Sequence, residues 1–145
     1  MVAEDVDVPG YSVLAGGYAD RRVPDGRLAA LIDGALADAP TVANVGAGAG
    51  GYEPTSRWVA SVEPAAEMLA QRDDGRRAAI RALAERLPIR EGGVAAAMAV
   101  MTVHHWRELA TGLAEMRRAA RDRVVIFTWD EESSGSTSIF PSWLR

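Results

Sequence analysis

The stretch Val-Ala-Asn-Val-Gly-Ala-Gly-Ala-Gly, residues 42–50, decides the fold of this 145-residue chain. A short apolar strand runs directly into glycines at every second position. In a parallel sheet, ligands bind where the strands end and the loops leave a crevice. Gly46 and Gly48 have no Cβ atom, so their backbone can approach a ligand closely. We therefore predict a ligand site here, with a tight glycine turn that binds nothing as the alternative.

The residues on either side predict helices alternating with strands. Asp25 is the expected N-cap of a helix that ends before Pro40. A second helix is expected after Pro64 and ends near Gly75, and a third has one apolar side, formed by Leu109, Leu113, Met116 and Ala120. Strands are expected at residues 41–45, 58–62, 78–83, 94–103 and 124–129, with 78–83 at an edge. This order predicts an α/β fold, a Rossmann-like parallel sheet of about five strands with helices on both faces.

Length and composition predict a single domain over residues 1–145, with an N-terminal arm at 1–23 and a tail at 131–145. The formal net charge of -4 argues against a nucleic-acid partner. Because the chain has no cysteine, disulfides, thiolate nucleophiles and zinc-thiolate sites are excluded. Residues 1–9 do not have the pattern of a signal peptide, and the longest apolar run, 94–103, is too short to span a bilayer. We expect a cytoplasmic protein with no membrane partner.

Gly46, Gly48 and Gly51 also satisfy the G-x-G-x-x-G fingerprint of NAD-binding domains. In such domains a long helix follows the loop. Residues 51–57 leave room for about one or two helical turns, and Pro54 limits the helix further. NAD is therefore the less favoured cofactor.

Glu63 is the second candidate ligand group, because it follows the strand at 58–62 and precedes Pro64. In an adjacent parallel strand its carboxylate would lie beside the glycine loop and could accept hydrogen bonds from both hydroxyls of a ribose. NAD and S-adenosylmethionine each contain such a ribose, so Glu63 does not choose between them. The alternative is a solvated loop acid.

With these residues in hand, the chain resembles the class I S-adenosylmethionine-dependent methyltransferases, specifically the type 11 methyltransferase-domain family. Four segments are similar to family motifs and occur in the family's order, namely residues 44–50, 62–64, 84–88 (Ala-Glu-Arg-Leu-Pro) and 103–106 (Val-His-His-Trp). Three positions depart from the family pattern, since the usual acidic residues are replaced by Asn44, Leu83 and Ala95.

The resemblance implies S-adenosylmethionine as the cofactor and methyl transfer to a small-molecule acceptor. The implied cofactor-binding residues are Asn44, Gly46, Ala47, Gly48, Gly50, Glu63, Pro64, Met68, Ala84, Glu85 and Val100. The family's C-terminal antiparallel hairpin is expected to be missing or replaced. A noncatalytic or incomplete cofactor-binding module is therefore an alternative function, and an NAD-binding domain is a third.

His104, His105 and Asp130 are the candidate catalytic residues. They follow two neighbouring strands at the predicted carboxyl edge, where Asp130 could orient a histidine that takes a proton from a hydroxyl or amine acceptor. The alternative is a structural role, with one histidine capping a helix. Trp106 is expected to pack. We expect no metal, because two adjacent histidines without further ligands do not form a metal site.

The strand at 124–129 is expected to be the outermost strand, with an unpaired edge. Pro141 argues against a long regular strand in the tail, because it cannot donate a ladder hydrogen bond. Phe140 and Trp143 are expected to pack over apolar surface instead. The open edge then predicts a homo-oligomer.

Overall fold

The computed structural model describes residues 24–73, 78–129 and 137–141. Its strands are β1 (Thr41–Val45), β2 (Trp58–Val62), β3 (Val94–Val100), β4 (Ala120–Trp129) and β5 (Thr137–Pro141). Its α-helices are α1 (Gly26–Leu36), α2 (Ala66–Ala70) and α3 (Leu109–Ala119), and short 3-10 turns occur at Ala84–Arg86 and Val103–His105. The five strands form one sheet in the order β2-β1-β3-β4-β5. Strands β1 to β4 are parallel and β5 is antiparallel to β4, so the predicted Rossmann-like α/β fold is confirmed.

Helices cover both faces of the sheet. On one face, α1 buries Ile32 and Leu36 against a cluster that includes Val42, Ala96 and Met98. On the other, α3 buries side chains against the alternate strand residues, in a cluster that includes Ala43, Val45, Ala97, Met116 and Ala119. Successive strand residues point to opposite faces, which explains why β1 and β3 are apolar without alternation.

The predicted bounds of β1 and β2 are confirmed, and so is the start of α1. The Asp25 carboxylate accepts a hydrogen bond of 2.8 Å from the backbone N–H of Arg27, as an N-cap residue does. The second helix is shorter than predicted, because α2 ends at Ala70.

The predicted strand at 78–83 is wrong. Only Ile80 pairs with the sheet, as an isolated bridge to Val62, and the chain then enters the turn at Ala84–Arg86. The strand predicted at 94–103 ends early, at Val100, because Met101 has a left-handed backbone with φ 56°. Such a residue cannot continue an extended ladder.

Ala120 was predicted on the third helix, but it is the first residue of β4, which begins four positions before the predicted residue 124. The start of β4 could not be predicted from its sequence, because positions 121–123 are charged. Two of these residues are exposed, so this segment does not have the apolar pattern of a buried strand.

The expectation that the fifth predicted strand is outermost is also wrong. β5 pairs antiparallel with β4, from Trp129↔Thr137 to Val125↔Pro141. Pro141 is the last residue of β5, where a missing N–H donor disturbs the ladder least. The predicted homo-oligomer thus loses the open edge on which it was based and stays a prediction. In the part of the chain that the structure describes, no helix has the length and apolarity needed to cross a membrane.

Candidate cofactor-binding site

The glycine loop leaves β1 at the carboxyl edge of the sheet, as predicted. Val45 is in register with Val62 of β2, and the N–H groups of Gly46 and Ala47 both donate to the Val62 carbonyl at 2.9 Å. Gly46, Gly48 and Gly50 have φ angles of 70°, 55° and 88°. Side chains with a Cβ rarely adopt these angles, so the alternating glycines are required by the shape of the loop.

Glu63 lies beside this loop and is only 2% exposed, so it is not a solvated loop acid. One carboxylate oxygen accepts a hydrogen bond of 2.8 Å from the Gly48 N–H, and the other accepts one of 2.9 Å from the Ala65 N–H. A carboxylate has about four acceptor positions, so two remain for the hydroxyl donors of a ribose. The donor and acceptor chemistry of this site therefore fits a nucleoside.

Burial raises the pKa of Glu63 above its ordinary value, because a low-dielectric environment disfavours the charged form. The hydrogen bonds from Ala65 and Gly48 and the positive charge of Arg72 oppose that effect. These groups offset the effect of burial only in part, so the pKa of Glu63 stays above its ordinary value.

A buried polar network lies behind the loop, and the sequence analysis missed it. The Glu53 carboxylate accepts hydrogen bonds from Asn44 Nδ2 at 3.0 Å, Ser61 Oγ at 2.7 Å and Arg72 Nη2 at 2.8 Å. The side chains of Arg72 and Glu53 are 6% and 5% exposed. Asn44 and Ser61 are paired residues of β1 and β2, which places both on the same face of the sheet.

Burial raises the pKa of Glu53, but the hydrogen bonds from Arg72, Ser61 and Asn44 outweigh it and hold the pKa below its ordinary value. Glu53 is therefore ionised at neutral pH. Asn44, one of the predicted cofactor-binding residues, donates to this carboxylate through its amide.

Thr102, another residue missed by the sequence analysis, connects the glycine loop with the histidine segment. It is buried two residues after β3, and its side chain lies directly against Gly46. Its carbonyl accepts a hydrogen bond of 2.9 Å from the N–H of His105. The loop and the histidines therefore meet at one sheet edge, as predicted.

His104 and His105 form the turn after β3, with ring centroids 4.0 Å apart. His104 is exposed and His105 is half-buried. Burial, and to a smaller extent the charge of His104, lowers the pKa of His105, which favours the neutral imidazole that a general base requires. Asp130, the third predicted catalytic residue, lies outside the described residues.

The other predicted cofactor residues divide into two groups. Met68 is buried, and its methyl group lies 3.0 Å from the position of a Cβ on Gly48, so it contacts the loop. Pro64 and Val100 are half-buried near the same edge. Ala84 is buried in the core on the α3 face, and the Glu85 carboxylate accepts a 3.2 Å hydrogen bond from the Glu108 N–H. These contacts of Ala84 and Glu85 are thus with the core and with the residue before α3.

The segment after the loop argues against a dinucleotide fingerprint. Residues 51–57 form turns and contain no helix. A Cβ on Gly51, the third glycine of the fingerprint, would meet only Pro24 Cγ at 3.7 Å, an ordinary contact. This position therefore does not require a glycine. In a dinucleotide fingerprint, by contrast, the third glycine is needed so that the helix can pack closely on its strand. Among the residues described, no group of three or more metal-ligating acids or histidines lies close together.

Comparison with known proteins agrees with this geometry. Residues 43–128, more than half of the chain, match a family described as a methyltransferase domain. A search of curated protein sequences finds no match. Among solved structures, the chain is similar to a protein described as a methyltransferase from an antibiotic biosynthesis pathway of Anabaena variabilis, with 29% identity and a TM-score of 0.70 over 77% of this chain and 48% of that one.

Two further structures share the fold. A SAM-dependent methyltransferase from Thermotoga maritima has 18% identity and a TM-score of 0.71, over 88% of this chain and 62% of that one. Geranyl diphosphate C-methyltransferase from Streptomyces coelicolor, solved with S-adenosyl-L-homocysteine, has 21% identity and a TM-score of 0.60, over 70% of this chain and 44% of that one. This chain thus corresponds to a part of each relative. From the family match and the shared fold together, the chain belongs to the methyltransferase-domain family of class I S-adenosylmethionine-dependent methyltransferases.

Proposed function

We propose that this chain binds S-adenosylmethionine across the glycine loop and Glu63 and transfers its methyl group to a small-molecule acceptor. The observation that supports this most directly is the buried Glu63 carboxylate bonded to the Gly48 N–H. A ribose donates two hydroxyls, and a carboxylate next to a glycine loop is a matching acceptor.

When bound, the cofactor supplies an activated methyl group on a sulfonium. Attack by an acceptor would form a bond to that methyl carbon and break its bond to sulfur, which would keep the electron pair. The contribution of the protein to such an in-line displacement is mainly to position the two reactants. In this chain, the fixed loop at Gly46 and Gly48 and the Glu63 carboxylate would hold the nucleoside end.

A hydroxyl or amine acceptor also loses a proton. His105 is half-buried and mainly neutral at pH 7, and its backbone is bonded to Thr102, which packs on the loop. We assign it the role of general base for such acceptors, with the exposed His104 as the neighbouring candidate.

Two measurements on the full chain test this proposal. Thermal unfolding should shift upward with S-adenosylhomocysteine and not with NADH, because a ligand stabilises the state that binds it. Transfer of a labelled methyl group to members of a small-molecule panel would then demonstrate catalysis. Stabilisation by NADH alone would contradict the proposed cofactor, and binding without transfer to any acceptor would favour a noncatalytic module.

A further inference from the structure

Arg72 links the buried Glu53 carboxylate to the glycine loop. Its Nη2 donates to Glu53 at 2.8 Å, and its Nη1 reaches the Gly48 carbonyl at 3.5 Å. Gly48 is also the residue whose N–H donates to Glu63. The two sides of one loop residue are therefore held by two different charged groups.

The same arginine supports the beginning of the loop through Glu53. Glu53 accepts from the Asn44 amide, two residues before Gly46. A buried carboxylate without its cation is strongly unfavourable, so the position of Glu53 depends on Arg72. Arg72 thereby influences the loop at its entrance and at its middle.

We propose that Arg72 is a positioning residue of the cofactor site: it ties Glu53 and Asn44 to the Gly48 carbonyl and, together with the bond from the Gly48 N–H to Glu63, fixes the backbone conformation of Gly48. This inference rests on the proposed function, because it concerns the presentation of Glu63 to a ribose. Arg72 acts through the loop and through Glu63, and is not itself a catalytic residue.

The arrangement has an electrostatic consequence for Glu63. Burial raises its pKa, while the Ala65 and Gly48 N–H groups and the charge of Arg72 lower it. Two further charged groups lie nearby: Glu53, which is paired with Arg72, and Arg81, which donates to the Pro64 carbonyl at 3.1 Å. Without the Arg72 charge, less opposes the rise that burial causes in the pKa of Glu63. Glu63 should therefore take up a proton at higher pH.

The test uses Arg72→Gln, which removes the charge, and Arg72→Lys, which retains it. Arg57→Gln is the matched control, because Arg57 also binds a carboxylate, that of Asp33, and a backbone carbonyl. Arg57 directly precedes β2, whereas Glu63 directly follows it. Carboxyl-carbon NMR titration gives the Glu63 midpoint in the free protein. Calorimetry with S-adenosylhomocysteine over a pH series gives the affinity.

In Arg72→Gln we expect the Glu63 midpoint to move to higher pH, and the acid loss of affinity to move with it. If the midpoint rises by about one pH unit, binding at a pH below both midpoints should weaken about tenfold. Arg72→Lys should restore the midpoint. Hydrogen exchange of the Gly48 amide, followed by NMR, should stay faster than in the wild type, because an ammonium cannot bridge two acceptors as a planar guanidinium does. Arg57→Gln should change neither quantity.

An unchanged Glu63 midpoint in Arg72→Gln, or affinity reduced equally at every pH, would overturn the inference while the wild type still binds. If Arg72→Gln does not fold, Arg72→Lys decides, and wild-type exchange at Gly48 together with wild-type affinity would contradict the positioning role. A wild-type protein that binds no S-adenosylhomocysteine would instead overturn the proposed function, and the inference with it.

Discussion

Thr102 packs so closely on Gly46 that the loop has no room for a side chain at that position. A Cβ on Gly46 would lie 2.6 Å from Thr102 Cγ2 and 2.8 Å from Thr102 Cβ. The left-handed φ of 70° at Gly46 imposes a second, independent requirement for glycine. The segment that follows β3 therefore fixes the first turn of the loop that leaves β1.

Replacing Gly46 with alanine should reduce both stability and cofactor binding. The left-handed backbone and the overlap with Thr102 together should lower the free energy of unfolding by about 2–4 kcal/mol. Urea unfolding measures this loss, and calorimetry should show weaker binding of S-adenosylhomocysteine. Gly51→Ala is the control and should be tolerated, because its Cβ meets only an ordinary contact. Equal losses in the two variants would contradict the special role of Gly46.

A second close contact joins Gly112 of α3 to Trp106, which confirms that Trp106 packs. A Cβ on Gly112 would lie 2.8 Å from Trp106 Cζ3. We expect Gly112→Ala to destabilise the fold by about 1–3 kcal/mol, because overpacking outweighs the higher helix propensity of alanine. Urea unfolding measures this change. In α1, Gly34→Ala has nothing within 4 Å of the new Cβ and should be neutral or stabilising in the same measurement. A stabilising Gly112→Ala would show that Trp106 is free to move away.

The lowered pKa of His105 predicts how methyl transfer to an oxygen or nitrogen acceptor depends on pH. The neutral imidazole persists as the pH falls below the ordinary histidine range, so the rate should decline only at the lowered pKa of His105. His105→Ala should reduce the single-turnover rate by about 10²–10⁴ while cofactor affinity stays nearly constant. His104→Ala tests the neighbouring candidate. Full turnover in both single variants would exclude a histidine base.

The pairing of β5 with β4 predicts a consequence of removing the tail. A variant that ends at Ser136 lacks β5 and leaves the β4 edge with unpaired N–H and C=O groups, which promote association with another edge. Light scattering over a dilution series should show more self-association in this variant than in the full chain. Equal association in both would mean that β5 does not protect the β4 edge.

The elements that could be predicted are those whose local sequence agrees with their final environment. β1 and β2 are short apolar runs bounded by turn residues, and α1 begins at a capping aspartate, so their positions were predicted correctly. The strand at 78–83 was not, because apolar residues there form only one bridge. The pairing of β5 was missed because local rules weighed Pro141 without knowing that it ends the strand.

The candidate site shows the same division. Glu63 was predictable, since the ends of neighbouring parallel strands meet at one edge. The Glu53–Arg72 pair was not, because its members are 19 positions apart and meet only through the folded loop.

The most direct test of the cofactor site is calorimetric titration of S-adenosylhomocysteine into the wild-type chain, Glu63→Gln and Glu67→Gln. Glu67 is exposed on α2, four residues from Glu63, and loses the same charge without touching the loop. We predict one site in the wild type, unchanged affinity in Glu67→Gln, and a loss of about 1–3 kcal/mol in Glu63→Gln, because the ribose hydroxyls lose a carboxylate acceptor. No binding by the wild type, or equal affinity in all three proteins, would contradict the proposed cofactor site.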